Sequence, residues 1–131
     1  MKKLLILLAL PILFVTACSD GGTGIGNSDP RIFDKIWVID PSTAIPYFEI
    51  TLNSADNTFV DDFGATGTWV SKSGGDVIET TEKFDLGLGG SITTKVKYTT
   101  LSVTDSTWSV DYEVRVAGTN TGNGTTVMTQ K

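Results

Sequence analysis

Beyond residue 46 the chain alternates apolar and polar positions with a period of two, which predicts an all-β fold. In residues 47–52, Phe48, Ile50 and Leu52 fall on one face and Tyr47, Glu49 and Thr51 on the other. Further runs rich in threonine, valine and aromatic residues occupy 58–61, 67–71, 77–84, 92–103 and 107–117. Turn-forming residues separate them: Asp56-Asn57, Ser73-Gly74-Gly75, the glycine-rich 87–90, and Thr104-Asp105-Ser106. The clearest strand is 107–117, where Trp108, Val110, Tyr112, Val114 and Val116 oppose Ser109, Asp111, Glu113 and Arg115. In 92–103, Ile92, Thr94, Val96 and Tyr98 share a face, whereas Leu101 and Val103 fall in the opposite phase. A bulge or sharp bend near Thr99-Thr100 would restore the phase. A last strand is expected at 125–129, after a loose segment 118–124. Seven or eight antiparallel strands joined by short turns leave two architectures, a small closed up-and-down barrel and a two-sheet β-sandwich. The phase-repairing bend favours the barrel, because such bends turn barrel corners.

The first 46 residues follow other rules. Ser28-Asp29-Pro30 supplies a helix cap with proline at the first helical position, and Ile32, Phe33, Ile36 and Trp37 follow at the spacing of one helical turn. Trp37-Val38-Ile39 then favours β structure, and Pro41 ends whatever precedes it. Lys2 and Lys3 precede an apolar run over 4–15 that is shorter than the roughly 20 residues of a spanning helix. That is the anatomy of an export signal over residues 1–17. It ends in Val15-Thr16-Ala17-Cys18, which resembles the lipobox of bacterial lipoproteins. The resemblance implies that the Cys18 sulfur takes a diacylglyceryl group and that cleavage frees its amine for a further acyl chain. Several chains together make attachment effectively permanent, where one alone binds only marginally. By resemblance to the sorting rule of diderm bacteria, Ser19 rather than aspartate after the cysteine implies the outer membrane. Residues 19–30 are glycine and small polar residues with one aliphatic, the composition of a flexible tether. Gly22, Gly24 and Gly26 follow no strand and lack the lysine and helix of a phosphate loop. The expected organisation is therefore a signal (1–17), a lipidated cysteine with its tether (18–30) and one β-barrel domain (31–131).

Four short elements resemble the lipocalin-like lipoproteins of bacteria across residues 31–117. They are the turn feeding a strand with Trp37, the hairpin Asp56-Asn57-Thr58-Phe59, the strand opening Gly67-Thr68-Trp69, and the hairpin from Leu101 to Trp108. The resemblance implies a barrel that binds a small hydrophobic molecule or lipid. It also implies a late arginine packed over the first tryptophan at the closed end, for which Arg115 is the candidate. The chain departs from the family in one place, because Lys35 stands where a glycine is expected two residues before the tryptophan.

Charge and chemistry narrow the function further. The net charge is −5, and loss of Lys2 and Lys3 with the signal leaves eight basic against 15 acidic residues, or −7. Lys72, Lys83, Lys95, Lys97 and Arg115 are scattered among acids, so nucleic acid is not an expected partner. One cysteine excludes an internal disulfide. The chain has no histidine, an acylated Cys18 leaves no thiol, and no Ser-x-x-Lys stands at a strand-to-helix junction. Enzymatic activity and a cofactor are therefore not expected. Two carboxylates alone can hydrolyse glycosides, which makes Asp61, Asp62, Glu79 and Glu82 candidates to be placed. Asp56, Asp61 and Asp62 lack the alternate oxygens and central glycine of a calcium loop, so a solvated turn and no metal site are expected. Trp37, Trp69, Tyr98, Trp108 and Tyr112 are the remaining candidates: inside a barrel they either line a ligand cavity or fill it. The leading expectation is a monomeric envelope lipoprotein that binds a small hydrophobic molecule or lipid. A structural or protein-interaction lipoprotein with a filled core is the alternative, and a carbohydrate-binding β-sandwich the second.

Overall fold

The computed structural model describes residues 28–131. The export signal, Cys18 and the Gly22–Gly26 stretch lie outside the described residues. Eight antiparallel strands follow in chain order: β1 (Ile36–Val38), β2 (Glu49–Asn53), β3 (Thr58–Asp61), β4 (Thr66–Lys72), β5 (Val77–Asp85), β6 (Ser91–Val103), β7 (Thr107–Val116) and β8 (Thr119–Gln130). Each pairs with the next, and β8 returns to β1 with Trp37 opposite Gln130 and Val38 opposite Thr129. The architecture is thus a closed up-and-down barrel, in which the short β1 covers only the last residues of β8.

Alternation decides what lies inside. Ile50 and Leu52, Phe59, Trp69, Ile78, Val96 and Tyr98, Trp108, Val110 and Val114, and Met128 point inward and are almost completely buried. The three tryptophans use their polar edges as well as their rings. Nε1 of Trp37 donates to the carbonyl of Ile32 at 2.7 Å, that of Trp69 to the carbonyl of Asn53 at 3.0 Å, and that of Trp108 to Oγ1 of Thr100 at 3.0 Å. Burying an indole therefore leaves no donor unsatisfied. The predicted phase repair falls one residue beyond Thr100: the β6–β7 register shifts between Thr100 and Ser102, so Leu101 turns outward and Val103 packs against the core.

Up-and-down order gives the barrel two unlike poles. At the closed pole the chain enters through a 3-10 turn, Pro30–Ile32, whose cap is Asp29, with its side chain accepting from the Arg31 amide at 2.9 Å. The turn drives Ile32 and Phe33 into the barrel end, where the Phe33 ring lies 4.7 Å from that of Trp69. Ser28 is not the cap. Its hydroxyl is buried against the β4–β5 turn, 2.7 Å from Oγ of Ser71 and donating to the carbonyl of Gly75 at 3.2 Å. The turns after β2 and β6 and the chain end at Lys131 share this pole. The opposite pole carries the long β1–β2 connection (39–48) and the turns after β3, β5 and β7.

Four sequence expectations are corrected. The helical spacing ends at Phe33, and Ile36 and Trp37 belong to β1. Phe48 does not share the inward face of Ile50 and Leu52; it is exposed while Tyr47 is buried. Strand β2 begins only at Glu49, and the bend that follows exposed Pro46 swings the neighbouring phase. The glycine-rich 118–124 is no loose loop, since β8 starts at Thr119 after a tight turn in which Ala117 and Gly118 have φ of 52° and 84°. Arg115 does not reach Trp37. It points outward at the far end of β7 and pairs with Glu113 at 2.6 Å, while Lys35, in the family's glycine position, sets its ammonium 5.5 Å from the Trp37 ring centre.

Candidate functional site: the mouth of the barrel

The closed pole is filled by the buried side chains of Ile32, Phe33, Trp37 and Trp69, and the open pole is only half plugged. Along the β7–β8 side, the 39–48 connection folds into the opening: Ile45 is buried, and the Ala44 amide donates to the Tyr112 hydroxyl at 3.2 Å. Ala44 fits because its inward neighbour on β8 is Gly122, where any Cβ would strike the Ala44 methyl. Along the β3–β6 side the connection stops short. There a cavity of about 350 Å³ opens to the surface, bounded by Tyr47, Asp61, Phe63, Glu82, Phe84 and Ile92. That volume lies at the small end of ligand-binding pockets. It is about twice the engineered cavity of ~150 Å³ that takes one benzene ring.

The floor of the cavity is polar. Glu82 follows Ile78 and Thr80 on the inward phase of β5, and Asp61 follows Phe59 on that of β3. They are 7% and 8% exposed. The Tyr47 hydroxyl donates to Oε2 of Glu82 at 2.8 Å. Burial above all, then this hydrogen bond and the nearby charges of Glu82 and Asp61, push the Tyr47 hydroxyl far above its ordinary titration range. It is accordingly a fixed donor to Glu82. Asp61 Oδ1 accepts the amides of Phe63 and Ala65, both at 2.9 Å, and so shapes the β3–β4 turn as well as the cavity wall. Asp62, next in sequence, faces outward and ties the β2 entry through the amides of Phe48 and Glu49 at 2.9 and 3.2 Å.

Around this floor the rim is apolar and uncovered. Phe63 is 68% exposed, Phe84 61% and Leu88, at the tip of the β5–β6 turn, 95%. Phe48 and Leu86 are about half exposed, and the Phe48 and Phe63 rings lie 6.2 Å apart. These five large apolar side chains thus gather at one pole.

The aromatics singled out from the sequence lie elsewhere. Trp37, Trp69, Tyr98 and Trp108 fill the barrel toward the closed pole, with Trp108 5.8 Å from Trp37 and 5.4 Å from Tyr98, ring centre to ring centre. Tyr112 is buried under Gly124 and accepts from Ala44. None of the five borders the mouth cavity. Of the four carboxylates considered, the fold brings Asp61 and Glu82 together there, while Glu79 faces outward to Lys72 and Lys95. The signal that identifies the pair is their phase, since an acid in register with inward apolar neighbours must be buried. The Tyr98 hydroxyl is fully buried beside Thr80 and completes no hydrogen bond, while Thr80 donates to the Val96 carbonyl at 3.4 Å. Among the described residues no group of three or more acidic side chains is arranged to hold a metal ion, and no helix is long and apolar enough to cross a membrane. No protein family, curated protein or solved structure matches the chain.

Proposed function

We propose that the protein is an envelope lipoprotein, attached to the outer membrane through Cys18, whose barrel mouth binds a small hydrophobic molecule. The carrying observation is the 350 Å³ cavity between the 39–48 connection and strands β3–β6, flanked by the exposed rings of Phe63 and Phe84. A solid core with this half-open mouth supports binding at the pole and not within the tryptophan cluster. The placement of Ser28 supports the geometry of attachment. The chain arrives at the closed pole, so an anchor at Cys18 would hold the barrel by the end opposite the mouth. The ten residue steps from Cys18 to Ser28 span at most about 35 Å, which keeps the domain close to the membrane surface.

Titration with N-phenylnaphthylamine, a neutral dye that brightens in apolar surroundings, tests the mouth. Saturable brightening that 1-octanol reverses and that Phe84→Ser weakens is expected. A folded protein that gives no saturable signal would exclude the reading. The anchor is tested separately, by metabolic labelling with palmitate: incorporation is expected in the native chain and not after Cys18→Ser.

A further inference from the structure

We infer that the mouth selects hydrophobic amines, that is, small molecules with one short apolar body and a protonated amino head, over fatty acids and neutral lipids. The inference rests on the mouth reading above and adds the charge of the ligand. Three observations carry it.

The cavity has a polar end and an apolar end. Tyr47, Asp61 and Glu82 form the floor, whereas Phe63, Phe84 and Ile92 form the walls toward solvent. A ligand that satisfies both ends is an amphiphile whose head is held inward and whose body lies along the rings.

The floor is one-signed. Two carboxyl groups, each more than nine-tenths buried, line the cavity, and none of its lining side chains is basic. Of the cations near it, Lys83, between Glu82 and Phe84 on β5, falls on the outward phase of the strand, and Lys95 faces Glu79 on the outside of the barrel. A fatty carboxylate entering head first would meet like charge in a poorly hydrated site, while an ammonium would meet its counterions.

The floor also has unused acceptors. Glu82 Oε2 receives the Tyr47 hydroxyl, but no described group donates to Oε1. Asp61 Oδ1 receives two backbone amides, and no described group donates to Oδ2. Both oxygens open onto the cavity, where a ligand that brings donors can take the place of water, and an ammonium brings three. Tyr47 cannot take that place, since its hydroxyl proton is already committed to Glu82. The volume matches a body of a single short chain or ring system.

The test compares octylamine, 1-octanol and octanoate, which share one tail and differ in head group, by calorimetric titration of the full chain at pH 7. At that pH a primary alkyl amine is protonated and a carboxylic acid ionised. Octylamine is expected to bind at least about tenfold more tightly than octanol, and octanoate more weakly than octanol. Glu82→Gln keeps an acceptor for Tyr47 but removes the charge, so the preference for octylamine over octanoate should shrink at least about tenfold. Asp61→Asn serves as a second variant and should shrink it in the same direction. Equal affinity for the three, or a preference for octanoate, overturns the inference while leaving a hydrophobic mouth in place. A preference for octylamine that survives both substitutions unchanged overturns it too. Failure of all three ligands to bind removes the mouth reading itself.

Discussion

Replacing Tyr47 by phenylalanine isolates the polar floor of the mouth, because it deletes one oxygen and leaves the ring. That oxygen donates to Glu82 at 2.8 Å, and the two side chains are 3% and 7% exposed, so little water reaches the acceptor to replace it. A hydrogen bond to a charged partner contributes about 1.5–3 kcal/mol, and a neutral one about 0.5–1.5 kcal/mol. Tyr47→Phe should therefore lower stability by about 2 kcal/mol. In a domain of about 100 residues that is a fall in Tm of roughly 8–16 °C. The double-mutant cycle with Glu82→Gln sharpens the claim. With a neutral amide as acceptor, the same Tyr47→Phe change should be about 1 kcal/mol less damaging than in the native background. Urea unfolding of the four proteins, followed by far-ultraviolet circular dichroism, gives the coupling directly. A Tyr47→Phe effect of equal size in both backgrounds would refute the assignment of the hydroxyl to the Glu82 carboxylate.

The remaining predictions concern the barrel that carries the site. Gly67→Ala places a methyl against both the Phe59 ring and the Thr81 carbonyl; the ring can tilt but the carbonyl belongs to β5, so a loss of about 1–3 kcal/mol is expected in the urea midpoint. Trp37→Phe removes the donor to the Ile32 carbonyl as well as core volume, a loss of about 2–4 kcal/mol. Hydrogen exchange should then quicken at the Phe33 and Asp34 amides before it does in β6 and β7, and uniform quickening would contradict the role given to the entry turn. The Ser54 hydroxyl and backbone amide hold the Asp34 carboxyl below its ordinary value of 3.8. A group whose titration is depressed by folding adds stability above that value and loses it as pH falls through the folded one. Native protein should thus exceed Asp34→Asn in urea midpoint at neutral pH and converge with it in acid, whereas a constant gap would remove the ionic contribution. Asparagine tolerates the positive φ of 63° at this position, so the comparison leaves the backbone alone.

How much of this was legible in the sequence depended on where the determinants lie. Strand β3 matches its expected bounds because the Asp56-Asn57 turn stands before it and inward Phe59 follows; Asp56 Oδ1 caps the Thr58 amide at 3.1 Å, a contact two residues long. Strand β8 was visible only at its end because its reason is distant. Gly122 and Gly124 read as a loop, yet they are the small residues that leave room for Ala44 and for the Tyr112 ring. Its pairing partner β7 supplies the strand character that its own side chains lack. The site was legible in parts and not as a whole. The inward phase of Asp61 and Glu82 can be counted along each strand, but their meeting with Tyr47 spans 35 residues between Tyr47 and Glu82 and requires barrel closure. The aromatic pattern correctly identified inward positions, but a barrel of eight strands is narrow enough for three indoles to fill it. What stayed open was the pole where the β1–β2 connection runs out of residues to plug it.

The most direct test of binding at the mouth is a two-dimensional NMR titration of the isotopically labelled protein with 1-octanol. Saturable shifts are predicted at Tyr47, Ala65, Ile92 and Thr94, with the indole NH signals of Trp37, Trp69 and Trp108 unmoved. Shifts concentrated at the three indoles, or none in a folded protein, would contradict a ligand site at the mouth of the barrel.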